Sequence, residues 1–213
     1  LAQLKIEWEH NWEDKLNTIY GHIGDFKIGM HSVIALNVLS YFFERMLNQF
    51  EGLKPQFEFA PSLEIANRVW EGKLDMGLVI NPVRHANLVS MPIWKENISL
   101  WDGPHSNVDK DVLFFNPYMY KVETIIKKLK IKTKIAIADY EVMASLIKAT
   151  QGVGLLPSTV AQRYELRRIG GPLIQLNLAA IYHKERMQSL KKVEVVRFIV
   201  EALKIKEQRD YEN

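Results

Sequence analysis

The sequence contains no cysteine among its 213 residues. That excludes disulfides, thiolate zinc sites and cysteine nucleophiles, and it is compatible with a reducing, cytoplasmic setting. No apolar run approaches the roughly 20 residues that a membrane-spanning helix needs. The charged opening from Leu1 to Asp14 is unlike a secretory signal, so no membrane association is expected. A strong excess of one charge sign is also lacking: 28 Lys and Arg face 25 Asp and Glu, a net charge of +3. Read as interspersed signs, this balance argues against a segment that grips a phosphate backbone unaided, which usually needs clustered Lys and Arg.

Catalytic signatures are missing too. There is no GxSxG elbow, no HExxH, no phosphate-binding P-loop and no GxGxxG. Gly152-Val153-Gly154 starts like a dinucleotide loop, but no third glycine follows and the segment enters a strand, so a tight turn is favoured. The six histidines (His10, His22, His31, His85, His105 and His183) have no metal-ligand spacing on one element. Asp75, just before an apolar strand, reads as a structural partner rather than a general base. No nucleophile, base and orienting group assemble. The chain is read as a non-enzyme, with no cofactor and no metal.

What is present is the balance of an ordinary globular protein, 47% hydrophobic and 25% charged, long enough for one large domain or two small lobes. Leu4, Trp8, Trp12, Leu16, Ile19 and Ile23 recur at spacings of three and four, the stripe of a helix of about six turns. It packs on its own domain, or it is a connecting or dimerising helix arriving from an upstream domain. Gly21 and Gly24 end it. The chain opens on Leu1 rather than Met, which reads as a fragment or processed form.

A strand–helix rhythm follows. Phe26 to Met30 reads as a strand, and Ser32 as the N-cap of a helix from Val33 to Phe50. Ile34, Leu36, Leu39, Phe42, Phe43, Met46 and Leu47 form its core-facing stripe, and Gly52 and Pro55 close it. Gln56 to Ala60 is a second strand, Ser62 caps a helix from Leu63 to Trp70, and Met76 to Ile80 is a continuous apolar strand. Leu88–Ile93 and Asn97–Trp101 are extended segments without a helix between them. A second unit runs through strand 112–115, helix Tyr118–Leu129, strand 134–137, helix Glu141–Ala149 and strand 153–156, then a short helix from Ser158 to about Tyr164. Leu173–Leu176 and Leu178–Tyr182 are extended, and Met187–Ile205 is an amphipathic helix before a charged tail expected to fray. Two β-α-β-α-β units imply two α/β lobes, with a crevice at the carboxyl ends of the strands. The expected boundaries are 1–24 for the linker helix, 25–83 plus 180–205 for lobe I, 84–179 for lobe II and 206–213 for the tail.

Several segments together resemble the effector domain of LysR-type transcription regulators. They are Lys27-Ile28-Gly29 with the helix to Phe50, Ala60-Pro61-Ser62-Leu63-Glu64, and Glu71-Gly72-Lys73-Leu74-Asp75-Met76-Gly77-Leu78-Val79. Met91-Pro92-Ile93 and Gln151-Gly152-Val153-Gly154-Leu155-Leu156-Pro157 continue the match. No single piece is specific; five in order from about residue 25 to 203 are. Residues 1–24 are similar to the family's linker helix. The resemblance implies a two-lobed type-2 periplasmic-binding-protein-like fold with crossover strands between the lobes. It also implies homodimers or homotetramers, and promoter DNA bound only through an N-terminal winged helix-turn-helix not in this sequence. A small-molecule effector, often a carboxylate, binds between the lobes in such regulators and re-sets how the DNA is engaged.

The candidate ligand-binding residues follow from both readings. Ser32 and Ser62 stand between strand and helix, where a hydroxyl and free helix N–H groups meet an anion; plain capping is the competing role, and the two are compatible. The family places His31, Ser32, Pro61 and Ser62 in loops lining the cleft. His31 offers a donor or a second positive contact to a carboxylate, or it is a half-exposed residue of no function. Asn81 presents both a donor and an acceptor, or caps the turn before Pro82. Phe115, Asn116 and Asp139 lie at strand ends of the second unit, and Gly152 at the turn before its last strand. Asp139 favours an amino or hydroxyl group on the ligand, unless it only caps the following helix. The mixture points to a small polar metabolite, a carboxylate or zwitterion. The competing function is a solute-binding protein of a transport system with the same fold.

Overall fold

The computed structural model describes residues 23–104 and 111–212, with side chains as far as Lys206. The first expected helix falls on 1–22, outside the described residues, as do His10, His22 and His105. The chain divides into two compact units, one of Leu1–Trp94 with Asn177–Asn213 and one of Lys95–Leu176.

In unit 1, β1 (Gly24–Met30), β2 (Leu53–Phe59) and β3 (Met76–Ile80) are joined by α1 (Ser32–Gln49) and α2 (Ser62–Trp70). β1 pairs in parallel with β2 and β3, and β3 pairs antiparallel with the far end of β8 (Arg167–His183). Side chains alternate across a strand. Phe26, Ile28, Met30, Met76 and Leu78 therefore pack with Val38, Phe42 and Met46 of α1 and Val195, Val196 and Ile199 of α6 (Leu190–Glu212). Val79 and Ile181 face the other way, onto Ile65 and Val69 of α2. A Cβ on Gly29 would stand 2.5 Å from Leu74 Cδ1 and 2.7 Å from Ile65 Cδ1, so glycine lets α2 approach the strand. Both faces are covered, which is why β3 is apolar throughout. Asp75 fastens the strand entry: Oδ2 accepts from the Lys27 amide at 2.7 Å and Oδ1 from Lys192 Nζ at 2.9 Å.

Unit 2 has the strand order β4-β7-β5-β6, from β4 (Leu88–Asp102), β7 (Val153–Pro157), β5 (Val112–Phe115) and β6 (Thr133–Ala136). β4 runs antiparallel to β7, whereas β5 is parallel to both neighbours. α3 (Val122–Lys128), α4 (Tyr140–Ala149) and α5 (Ser158–Arg163) complete it. Leu113, Met143, Ile147, Val153 and Leu155 are among its buried residues, and Trp101 donates from Nε1 to the Leu156 carbonyl at 3.1 Å.

Several expectations need correction. The buried face of α1 is the row Ile34, Val38, Phe42 and Met46 with Val33 and Ala35 of its first turn, while Leu36, Phe43 and Leu47 are exposed. Pro55 does not close α1 but lies within β2, a position open to proline because β2 is an edge strand. The extended segments around Pro92 are one strand, β4, and those from 173 to 182 are one strand, β8. The helix expected from Tyr118 starts at Val122, because left-handed Lys121 (φ 56°) precedes it. The last helix reaches into the expected tail: α6 runs to Glu212.

Candidate functional site

The carboxyl ends of three parallel strands meet in unit 1. Met30 stands opposite Phe59 and Leu78 in the two ladders, and the Ala60 amide donates to the Met30 carbonyl at 3.2 Å. The loops carrying His31-Ser32, Pro61-Ser62 and Asn81 are thereby brought to one edge of the sheet. Sequence reasoning assigned the helix caps one residue late. His31 caps α1, its Nδ1 accepting from the Val33 amide at 3.2 Å, and exposed Ser32 is the first helical residue. An imidazole that accepts at Nδ1 carries its neutral-form proton on Nε2, which makes that atom a donor. Pro61, not Ser62, holds the N-cap of α2 and offers no side-chain bond. Ser62 Oγ instead accepts from the Ile80 amide at 3.0 Å, which ties the start of α2 to the end of β3.

Asn81 adopts the left-handed region (φ 48°), which Asn tolerates better than most residues. Its amide donates to the Asn177 carbonyl at 2.8 Å, and its Oδ1 accepts from the Asn177 amide at 2.9 Å. The side-chain acceptor is thus engaged with backbone. The first turn of α1 has no acidic residue, so the positive end of an 18-residue helix is uncompensated by its own sequence.

Unit 2 gathers a second set. Buried Asn116 spans two loops: Nδ2 donates to the Ala138 carbonyl at 2.7 Å and Oδ1 accepts from the Tyr118 amide at 2.8 Å. Asp139 is the N-cap of α4, accepting from Glu141 and Val142 amides at 2.8 and 2.9 Å. Half-buried Phe115 ends β5, and its carbonyl accepts from the Ile137 amide at 2.9 Å. Gly152 does not join them. It precedes β7, whose Val153 stands opposite Leu113, at the start rather than the end of β5. A Cβ on Gly152 would collide with the Phe114 ring, so glycine is required there by packing.

Features of two kinds went unnoticed in the sequence. Tyr118 and Tyr120 are exposed on the turn after β5, and Lys121 Nζ lies 5.0 Å from the centre of the Tyr120 ring; a Pro-Tyr-Met-Tyr-Lys run hidden inside an assumed helix was the available signal. The second is Glu96, a buried carboxylate that accepts from the Asn97 and Ser158 amides at 2.8 and 3.0 Å and from Thr159 Oγ1 at 2.6 Å. Burial pushes its pKa up, against the opposing pull of these hydrogen bonds. It anchors the start of α5 and does not belong to the strand-end loops. Among the described residues no group of three or more His, Asp or Glu could hold a metal ion, and no helix is long and apolar enough to cross a membrane.

Residues 21–108 match the LysR substrate binding domain. The chain is 26% identical over 192 residues to an uncharacterized HTH-type transcriptional regulator, YwbI, of Bacillus subtilis strain 168, an alignment covering 78% of this chain. It spans 62% of the length of that relative. Among solved structures it is similar to the reduced regulatory domain of OxyR from Pseudomonas aeruginosa, with a TM-score of 0.67 at 12% identity, over 85% of this chain and 98% of that one. It is also similar to the C-terminal domain of a probable LysR family regulator from Rhodococcus sp. RHA1, with a TM-score of 0.66 at 14% identity, over 83% and 98% of the two chains. The fold is the α/β, type-2 periplasmic-binding-protein-like fold of these regulatory domains.

Proposed function

We propose that this chain is a LysR-type effector-binding domain, the sensing part of a cytoplasmic transcription regulator that binds a small polar metabolite and self-associates as a dimer or tetramer. The observation that carries the reading is the convergence of three strand-end loops in unit 1 on the start of α1, whose first turn carries no acidic residue. Helix N–H groups, the Ser32 hydroxyl and the Nε2 side of His31 together favour an acceptor-rich group such as a carboxylate. Pinning of Ser62 and Asn81 by backbone partners holds the surrounding loops in place. DNA engagement is assigned to a winged helix-turn-helix encoded upstream of Leu1.

Two measurements test this. Reading the coding sequence upstream of Leu1 should reveal a helix-turn-helix; an export signal or lipid anchor there would favour a solute-binding protein instead. Thermal melting over a panel of small carboxylates and amino acids should show ligand-induced Tm shifts in the wild type that Ser32→Trp abolishes, with the ligand-free Tm little changed because Ser32 is exposed. Equal shifts in both proteins would remove Ser32 from the site.

A further inference from the structure

The turn from Asn116 to Lys121 is built unlike an ordinary surface loop. Tyr118 and Tyr120 are 85% and 53% exposed, while Met119 between them is buried at 6%. The methionine anchors the turn in the core of unit 2 and turns both phenol rings outward. Backbone bonds from Met119 to the Asn116 carbonyl (3.1 Å) and from Val122 to the Met119 carbonyl (3.2 Å) close it, and the Asn116 side chain fastens its start. Lys121 is held left-handed (φ 56°) with its ammonium over one face of Tyr120. Two solvent-facing aromatic rings and a cation therefore stand on a fixed scaffold, at the carboxyl end of a parallel strand.

Aromatic side chains have few torsions and so lose little entropy on binding, and a fixed turn that carries them lowers the cost further. Placed at a strand end of an α/β effector domain, they suit a small ligand more than a structural role. We propose that this turn is a subsite for the aromatic ring of an anionic effector, Tyr118 and Tyr120 taking the ring and Lys121 the carboxylate. The inference rests on reading the chain as an effector domain and specifies the ligand class, an aromatic carboxylate, which polar residues alone would not select.

Phenylacetate, cyclohexylacetate and 2-phenylethanol separate the two elements of recognition and are titrated into the 213-residue chain by calorimetry. Phenylacetate should bind more tightly than either analogue. Tyr118→Ala and Tyr120→Ala should each weaken phenylacetate about two- to tenfold and leave cyclohexylacetate nearly unchanged. Lys121→Gln should weaken phenylacetate and leave 2-phenylethanol unchanged. Circular dichroism of the variants should match the wild type, since all three side chains are exposed. Equal affinity for phenylacetate and cyclohexylacetate, or tyrosine variants that bind like wild type, would overturn the subsite. If aliphatic carboxylates also bind and Ser32→Trp abolishes them, the effector-domain reading survives that failure. Binding of no small molecule by the wild type would overturn both.

Discussion

Unit 1 is held chiefly by apolar burial on both faces of its sheet, with α1 and α6 on one side and α2 on the other. Unit 2 relies more on individual polar groups. Asn116 joins two loops, Asp139 caps α4, Glu96 anchors α5, and the edge strand β6 is exposed along its whole length. Charge divides the same way. Unit 2 carries twelve of the 28 Lys and Arg and eight of the 25 Asp and Glu, so it holds +4 while the remainder of the chain holds −1. Lys127, Lys128, Lys130, Lys132 and Lys134 supply that excess and are all exposed; reading the signs as interspersed overlooked this cluster. Lysines on and beside β6 also discourage pairing with a foreign strand. Unit 1 should accordingly respond most to lost volume, and unit 2 to lost hydrogen bonds and changed ionisation.

The largest effects should come from emptying each core. Phe42 and Met143 are fully buried, in units 1 and 2 respectively. Phe42→Ala should cost about 3–5 kcal/mol and Met143→Ala about 2–5 kcal/mol. Hydrogen exchange separates the consequences: Phe42→Ala should reduce protection in β1 and β3, and Met143→Ala in β5 and β7. Equal losses in both units from either variant would show a single cooperative body and dissolve the contrast.

A smaller difference should separate two crowded glycines. In unit 1, Gly29 faces the terminal methyl groups of Leu74 and Ile65, buried but able to shift by a turn about one side-chain bond. In unit 2, Gly152 faces the edge of the buried Phe114 ring, which cannot move without displacing the core. Gly152→Ala should therefore cost about 1–3 kcal/mol, more than Gly29→Ala, as measured by urea denaturation. A larger loss at Gly29 would mean that the α2 face is the tighter packing.

Much of this architecture was legible in the sequence because period and punctuation agree. Met76 to Ile80 had to be a strand covered on both faces, and Asp139 had the position of a cap. The errors have physical causes. Capping depends on which residue first leaves helical geometry: one step moved the role from Ser32 to His31 and from Ser62 to Pro61, which left the Ser62 hydroxyl to accept from the Ile80 amide. Apolar residues on α1 overstate its buried face, since Leu36, Phe43 and Leu47 fit the pattern yet face outward. The Tyr118–Lys121 turn was hidden because a left-handed lysine has no sequence signature of the kind glycine provides. Glu96 was invisible for a different reason: its partners Ser158 and Thr159 are more than sixty residues away.

That long-range anchor gives the subtlest test of the contrast. Burial raises the pKa of Glu96 in the folded protein above its ordinary carboxyl value, whereas unfolding returns it to water. Between the two values the folded state binds more protons than the unfolded state, so stability falls as pH rises through that window. The contribution is fully present below the unfolded pKa and is lost as pH climbs through the folded one. Glu96→Gln removes the titration while its Oε1 can still accept from the Ser158 and Asn97 amides. The Tm of Glu96→Gln relative to wild type should therefore increase as pH is raised from the acid range toward neutrality. A difference constant with pH would mean that the hydrogen bonds from Asn97, Ser158 and Thr159 offset the burial of the charge. In that case the start of α5 would be held by a carboxylate as settled as any in unit 1.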